Sequence, residues 1–159
     1  MNILEVQRGN SVLEGVSDKE RTLQSYEDSA SEYAINVESL HPQKQAEKFL
    51  SLVPPGGTIL DVGCGSGRDA QILSDQGFQV TGIDFSAAMI EIAKKKAPKA
   101  TFKVMDMQSL HMNETFDAVW ASASLLHVPK KEISKVLEKI WSLLNDKGSF
   151  YISLKKGMH

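Results

Sequence analysis

The stretch TILDVGCGSGRD, which spans residues 58–69, decides how this chain folds. Its apolar start predicts a short buried strand that ends near the acid Asp61, and its polar end predicts the start of a helix. Three glycines at alternate positions, Gly63, Gly65 and Gly67, allow a sharp turn and a close approach of the backbone to a ligand. The N–H groups at the start of the helix suit a carboxylate or a phosphate, and Asp61 offers a negative charge to a cationic group.

The spacing of these glycines separates two kinds of ligand site. A dinucleotide fingerprint requires the pattern G-x-G-x-x-G, whose third glycine allows close packing of helix and strand. Arg68 occupies that third position here, which disfavours a nicotinamide-dependent dehydrogenase. Taken alone, the turn is also compatible with a structural strand–turn–helix unit that binds nothing.

The composition is that of an ordinary globular domain. The chain has 159 residues, of which 42% are hydrophobic and 24% are charged, and its net charge is −2. This charge gives no electrostatic signature of nucleic-acid binding, and no apolar run is long enough to span a bilayer. The single cysteine, Cys64, excludes an internal disulfide, and no His/Cys pair has the spacing of a metal site. We therefore expect a cytoplasmic protein with no metal, no nucleic-acid partner and no membrane partner.

Helical and extended patterns divide the chain. We expect residues 1–19 to be a partly mobile N-terminal segment without an assigned function, and residues 20–159 to form one domain. Apolar residues at helical spacing predict a first helix (Leu23, Tyr26, Ala30, Tyr33, Val37) and a second that ends before the Pro/Gly cluster at 54–57 (Ala46, Phe49, Leu50, Val53).

Strands and helices then alternate to the end of the chain. The patterns predict strands at Thr58–Val62, Gln79–Ile83, Thr101–Met105, Phe116–Ser122 and Ser149–Lys155, with helices at Arg68–Gln76, Ala87–Ala97 and Lys130–Leu144. Such alternation predicts an α/β fold with a mainly parallel sheet of about five strands covered by helices on both faces. Ligands of such sheets bind at the carboxyl ends of the strands.

Three acids lie at the carboxyl ends of three consecutive predicted strands. Asp61 lies at the end of the first and Asp84 after the second, and Asp84 lies 21 residues after Gly63, close to the spacing of an acid that binds a ribose diol. Asp106 follows the third strand, where it could accept a hydrogen bond from an exocyclic amine of adenine. An acid after a strand can instead cap the next helix, but Ser86 is the better cap here, and this leaves Asp84 for a ligand.

With these residues identified, the chain resembles the class I S-adenosylmethionine-dependent methyltransferases. Leu60–Asp69 is similar to motif I of that family, Gly82–Ser86 to the segment after it, Val104–Asp106 to motif II and Phe116–Pro129 to motif IV. The resemblance covers roughly Leu23 to Lys155. It implies a three-layer Rossmann-like fold, S-adenosylmethionine as cofactor and S-adenosylhomocysteine as product.

The resemblance also implies which residues hold the cofactor. Asp61, Gly63, Cys64 and Gly65 would bind its methionine part, with Arg68 and Tyr33 near the carboxylate and amine; Asp84 would bind the ribose, Phe85, Met89, Asp106 and Met107 the adenine, and Ala121 would lie near the sulfonium. Met89 could equally be a core residue, and Arg68 a solvated residue at a helix start.

The expected function is transfer of a methyl group to a small-molecule acceptor that the sequence does not identify. The sulfonium already activates the methyl group, so catalysis is mainly alignment of the acceptor atom, and a base is needed only where the acceptor loses a proton. His127 is the titratable candidate after the fourth strand, and a structural role for it is the alternative.

The chain departs from the family at its C-terminus. Family members resemble one another in a seven-stranded sheet, whereas this sequence stops after the fifth predicted strand, so strands 6 and 7 are expected to be absent. Ser149–Lys155 would then be an uncovered edge strand, which predicts a homo-oligomer through residues 149–155 or marginal stability. The same shortening raises an alternative function, a non-catalytic S-adenosylmethionine-binding module that needs a partner to complete its acceptor pocket.

Overall fold

The computed structural model describes residues 2–5 and 43–153. Within these ranges six strands form one parallel sheet in the order β1-β6-β5-β2-β3-β4. The strands are β1 (Asn2–Glu5), β2 (Thr58–Val62), β3 (Gln79–Asp84), β4 (Thr101–Val104), β5 (Phe116–Ser122) and β6 (Leu144–Ser153). The helices are α1 (Gln43–Leu50), α2 (Arg68–Asp75), α3 (Ala87–Lys96) and α4 (Ile133–Ser142), with short 3₁₀ turns at Met107–Ser109, Leu125–His127 and Lys130–Glu132.

This architecture confirms the predicted α/β fold. The strands at Thr58–Val62 and Phe116–Ser122 have the predicted bounds, and the other elements that the sequence predicts after residue 57 lie within a few residues of them. Parallel strands that are buried on both faces carry long apolar runs, and such runs can be recognised in a sequence. The helix predicted around Leu23–Val37 and the last two residues of the final predicted strand lie outside the described residues.

The prediction that Ser149–Lys155 forms an uncovered edge strand is wrong. β1 pairs in parallel with β6, and the register runs from Asn2 opposite Ser149 to Glu5 opposite Ile152. The backbone N–H and C=O groups on this side of β6 thus have partners within the chain, so the physical reason for a dimer through residues 149–155 is removed. The sequence analysis missed β1 as a strand.

Apolar side chains fill both faces of the sheet. On one face, α1, α2 and α3 bury residues such as Phe49, Leu73 and Ile90 against Ile59 and Trp120. On the other face, α4 buries a stripe against the sheet that includes Val136 and Ile140 (with Leu60, Val62, Ile83, Val119 and Phe150 from the strands). Adjacent residues of β2 therefore point to opposite layers, and Asp61 shares the face of Ile59. No helix within the described ranges combines the length and the hydropathy that a membrane span requires.

A polar cluster fixes the amino ends of the central strands. The Asp117 carboxylate accepts a hydrogen bond from the Thr58 backbone N–H at 3.0 Å and one from the Asn145 side-chain amide at 2.9 Å. The Asp117 backbone N–H in turn donates to Thr58 Oγ1 at 3.0 Å. These bonds lower the pKa of Asp117 below its usual range. The cluster sets the register of β2, β5 and β6, and so determines which side chains meet at the opposite ends of these strands.

Candidate active site

The turn after β2 lies directly against β3 and the end of β5. The backbone N–H groups of Gly63 and Cys64 both donate to the carbonyl of Ile83, each at 2.9 Å. Gly63 and Gly65 have φ values of +72° and +54°, which L-amino acids with side chains rarely adopt. A Cβ on Gly63 would lie 2.3 Å from the Cβ of Ser124, whereas a Cβ on Gly65 would have no atom of the described residues within 4 Å. Gly63 is therefore required by packing, and no described residue fills the space beside Gly65.

Gly67, the third glycine of the turn, has a different role. Its φ is +87°, and a Cβ there would lie 2.9 Å from both the Cα and the Cβ of Ala93. The absence of a side chain thus lets the start of α2 approach α3 closely. Gly67 therefore allows close packing here, and no glycine is needed at position 68, which Arg68 occupies.

Asp61 is a buried acid at the carboxyl end of β2. It is 2% exposed, and its Oδ2 atom has no hydrogen-bond partner among the described residues. Burial raises its pKa well above the usual range, and the carboxylates of Asp69 and Asp84 raise it further, while Arg68 lowers it. Burying an acid without a partner is costly. The site therefore fits a cationic ligand group that could bind Oδ2 and stabilise the ionised carboxylate.

Asp84 connects β3 to the glycine turn. One of its carboxylate oxygens accepts from the Gly65 N–H and the other from the Ser86 N–H, both at 2.9 Å. Ser86 Oγ accepts from the Met89 N–H at 3.2 Å and so caps α3, as predicted. The Asp84 carboxylate also holds the glycine turn, a structural role that the sequence did not predict, and its contact with a ligand stays a prediction. A carboxylate oxygen can accept a second hydrogen bond, so Asp84 retains capacity for a hydroxyl donor.

Most of the other residues that are predicted to contact the cofactor lie in the described part of the chain. Asp106 accepts from the Gln108 N–H at 2.9 Å and caps a 3₁₀ turn, and the methyl carbon of Met107 lies 3.4 Å from the Cβ position of Gly63. Phe85 is half-buried, whereas Met89 and Ala121 are fully buried. Tyr33 lies outside the described residues.

The carboxyl ends of β5 and β6 form the other side of the turn. Ala123 has a φ of +52°, a strained value for a residue with a Cβ, and its N–H donates to the backbone oxygen of Ser153 at 2.9 Å and to its Oγ at 3.0 Å. His127 follows on a 3₁₀ turn, and its backbone N–H donates to the Ser124 carbonyl. Burial lowers the pKa of His127, so its ring is neutral near pH 7.

The sequence analysis missed two buried residues that contact this region. Asp69, in the first turn of α2, accepts from the indole N–H of Trp120 at 2.9 Å and from Arg68 Nε at 3.1 Å. An acid in the first turn of a helix is a common dipole effect, which is why the sequence alone did not single it out. Trp120 was assigned only to a strand.

Comparison with known proteins identifies the family. Residues 59–148, more than half of the chain, match a family model described as a methyltransferase domain. The chain belongs to the methyltransferase domain family. The resemblance drawn from the glycine turn and the strand-end acids is therefore confirmed.

Relatives and solved structures extend this result. The methyltransferase domain is 40% identical over 89 residues to the 2-methyl-6-phytyl-1,4-hydroquinone methyltransferase of Synechocystis sp. (strain ATCC 27184 / PCC 6803 / Kazusa), covering 53% of this chain and 28% of that protein. The TehB-like SAM-dependent methyltransferase of Corynebacterium glutamicum ATCC 13032 superposes with a TM-score of 0.70 at 26% identity, over 79% of this chain and 71% of that one. The DhpI–SAH complex superposes with a TM-score of 0.74 at 25% identity, over 88% and 71% of the two chains. The chain spans 28–51% of the length of three curated relatives that it matches.

Proposed function

We propose that this methyltransferase domain binds S-adenosylmethionine and transfers its methyl group to a small-molecule acceptor. The observation that carries the proposal is the buried Oδ2 of Asp61, which has no hydrogen-bond partner among the described residues and belongs to the strand that leads into the glycine turn. A ligand that binds here needs a cationic hydrogen-bond donor and a narrow chain that can lie against the backbone, and the methionine part of the cofactor has both. The match to the family model and the likeness to the DhpI–SAH complex support the same ligand.

The protein groups around the turn each fit one part of the cofactor. Asp61 would accept from the amino group, which offsets the cost of its burial. Gly65 would let the ligand lie against the backbone, since no atom of the described residues lies within 4 Å of its Cβ position. Asp84 would accept from a ribose hydroxyl in addition to the Gly65 and Ser86 N–H groups, because each carboxylate oxygen can accept more than one hydrogen bond. Arg68 and Tyr33 stay proposed partners of the cofactor's amino-acid end.

The adenine would lie on the far side of the ribose. We expect Asp106 and Met107 at its edge, because the 3₁₀ turn that they begin packs against the glycine turn. Phe85 would pack on the ring. Met89 would support this wall from the core, since its side chain is fully buried. Ala121 would contribute its backbone near the sulfonium.

When bound, the cofactor would supply a methyl group on a positively charged sulfur, which keeps the electrons of the C–S bond when an acceptor's lone pair takes the methyl group. The protein's contribution is to align the two partners and to exclude water. The ends of β5 and β6, with the strained Ala123, border the side from which an acceptor would approach. His127 is held neutral by burial and is the proposed base where the acceptor must lose a proton.

The name of one relative indicates which acceptors to test first. The Synechocystis relative is named for a hydroquinone, so phenolic and hydroquinone compounds are the first acceptors to test here. Such acceptors lose a proton when an oxygen attacks, which is the case in which a neutral histidine has a role.

Titration calorimetry with S-adenosylmethionine and S-adenosylhomocysteine tests the proposal. We expect both to bind the wild-type protein, and Asp61→Asn to weaken binding by about 1.5–3 kcal/mol, the usual value for a hydrogen bond to a charged group. The matched control is Asp75→Asn, which removes the same charge from the exposed end of α2. Mass spectrometry of a phenolic acceptor panel then detects a gain of one methyl group. A wild-type protein that binds neither compound contradicts the proposal.

A further inference from the structure

A row of paired residues crosses the sheet at the level of the site. Asp61 of β2 pairs with Trp120 of β5, and Trp120 pairs with Tyr151 of β6. Residues paired in register on parallel strands point to the same face, so Trp120 and Tyr151 lie in line with Asp61. All three are buried, and the row faces α2, the helix that carries Asp69.

Trp120 has little freedom to move. Its ring stacks on Tyr151 with a centroid distance of 3.8 Å and an angle of 8° between the planes. Phe49 of α1 meets it edge-on at 5.1 Å. An indole N–H in such a packed position is a fixed donor, and it points to Asp69 Oδ2 at 2.9 Å.

Asp69 thereby has a defined position. Each of its carboxylate oxygens accepts from a different element, Oδ2 from Trp120 on β5 and Oδ1 from Arg68 Nε at 3.1 Å. It is only 8% exposed, and acids are rarely buried without such partners. These two hydrogen bonds offset the cost of burying the Asp69 carboxyl group. They do not require a charge, because a neutral amide could accept the same indole hydrogen bond.

We propose that Asp69 is a positioning residue for the cofactor's amino group, acting through the neighbouring carboxylate of Asp61. This inference rests on the proposed binding of S-adenosylmethionine. The charged groups that act on Asp61 are Asp69 and Arg68 from α2 and Asp84 from β3. The titratable Cys64 and Tyr151 share the same face of the sheet, and burial raises the pKa of each, so both are neutral near pH 7.

The charges around the site therefore favour a cation. Among the described residues, three carboxyl groups, those of Asp61, Asp69 and Asp84, share this site with one guanidinium, that of Arg68. An arriving ammonium group balances the excess, and Asp69 contributes at a distance because a buried environment screens its charge weakly. Asp69 also helps to hold the pKa of Asp61 high, so removing its charge should let Asp61 ionise at lower pH.

Asp69→Asn tests this role, because the amide keeps the size of the side chain and an acceptor for Trp120. We expect its affinity for S-adenosylmethionine near pH 8 to fall about 3- to 30-fold, the range for a lost charge at partly screened distance. The pH at which binding is half lost should move to lower pH. The affinity for 5′-methylthioadenosine, which lacks the amino-acid part, should not change. Asp75→Asn, on the same helix, is the matched charge control and should leave all three measurements unchanged.

A second variant covers the case in which Asp69→Asn does not fold. Trp120→Phe retains the ring stack on Tyr151 but removes the donor to Asp69. We expect a weaker affinity for S-adenosylmethionine and an unchanged affinity for 5′-methylthioadenosine. These two results together support the positioning role.

Three outcomes overturn the inference. The same affinity and the same pH profile as wild type in Asp69→Asn exclude any electrostatic role of the residue. An equal loss of affinity for both ligands assigns Asp69 to the structure of the turn alone. A wild-type protein that does not bind S-adenosylmethionine overturns the proposed function and this inference with it, whereas the first two outcomes leave the proposed function standing.

Discussion

Alanine substitutions at Gly63 and Gly65 should separate the stability of the turn from its capacity to bind a ligand. Both residues have positive φ, at +72° and +54°, so each alanine costs about 1–2 kcal/mol of strain. Gly63→Ala adds a steric overlap, because the new methyl group would lie 2.3 Å from Ser124 Cβ. Overpacking of this kind costs about 1–3 kcal/mol. We therefore expect a total loss of about 2–5 kcal/mol for Gly63→Ala, against about 1–2 kcal/mol for Gly65→Ala.

Urea unfolding followed by circular dichroism measures the first quantity, and calorimetric titration with S-adenosylhomocysteine measures the second. Gly65→Ala places its methyl group where the ligand is expected, at a position that has no atom of the described residues within 4 Å. Its affinity should fall by at least about fivefold, which corresponds to the lower end of the overpacking cost. The reasoning is refuted if the two variants lose the same stability, or if Gly65→Ala binds as well as wild type.

Three further predictions concern the titratable residues. Asp61→Asn should stabilise the unliganded protein near neutral pH. Burial, Asp69 and Asp84 raise the pKa of Asp61, so the folded wild-type protein retains a proton that the unfolded chain loses. The stability of the wild-type protein therefore falls as pH rises between the ordinary and the raised pKa. A Tm series against pH in which the variant is never the more stable protein contradicts this. Asp84→Ala should weaken S-adenosylmethionine binding by about 1.5–3 kcal/mol in calorimetry, and unchanged affinity would exclude the proposed ribose contact. His127→Gln should lower kcat about 100-fold or more for a phenolic acceptor while leaving cofactor affinity unchanged. Normal turnover in that variant assigns His127 a structural role.

The sequence predicted the strands and the turn because their signals are local. Thr58–Val62 and Phe116–Ser122 are apolar runs bounded by turn residues, and both strands begin and end where the pattern placed them. The three glycines likewise marked the turn, since positive φ and close approach are properties of single positions. The helix cap at Ser86 followed from the same kind of local rule.

Contacts between distant residues could not be predicted in this way. β1 has only four residues, and its pairing with β6 depends on a partner more than 140 positions away. The hydrogen bond from Trp120 to Asp69 joins residues 51 positions apart, and neither residue type indicates that it forms. The second use of Asp84, as an acceptor for the Gly65 N–H, also depends on how β3 meets the turn. These arrangements arise from tertiary packing, which local propensity does not predict.

A crystal structure of the protein with S-adenosylhomocysteine tests the central claim most directly. The account predicts the amino group of the ligand within about 3.2 Å of Asp61 Oδ2, its chain along the open side of Gly65 and a ribose hydroxyl on Asp84. Density for the ligand at another place, or in this place with Asp61 Oδ2 still unpaired, would contradict it.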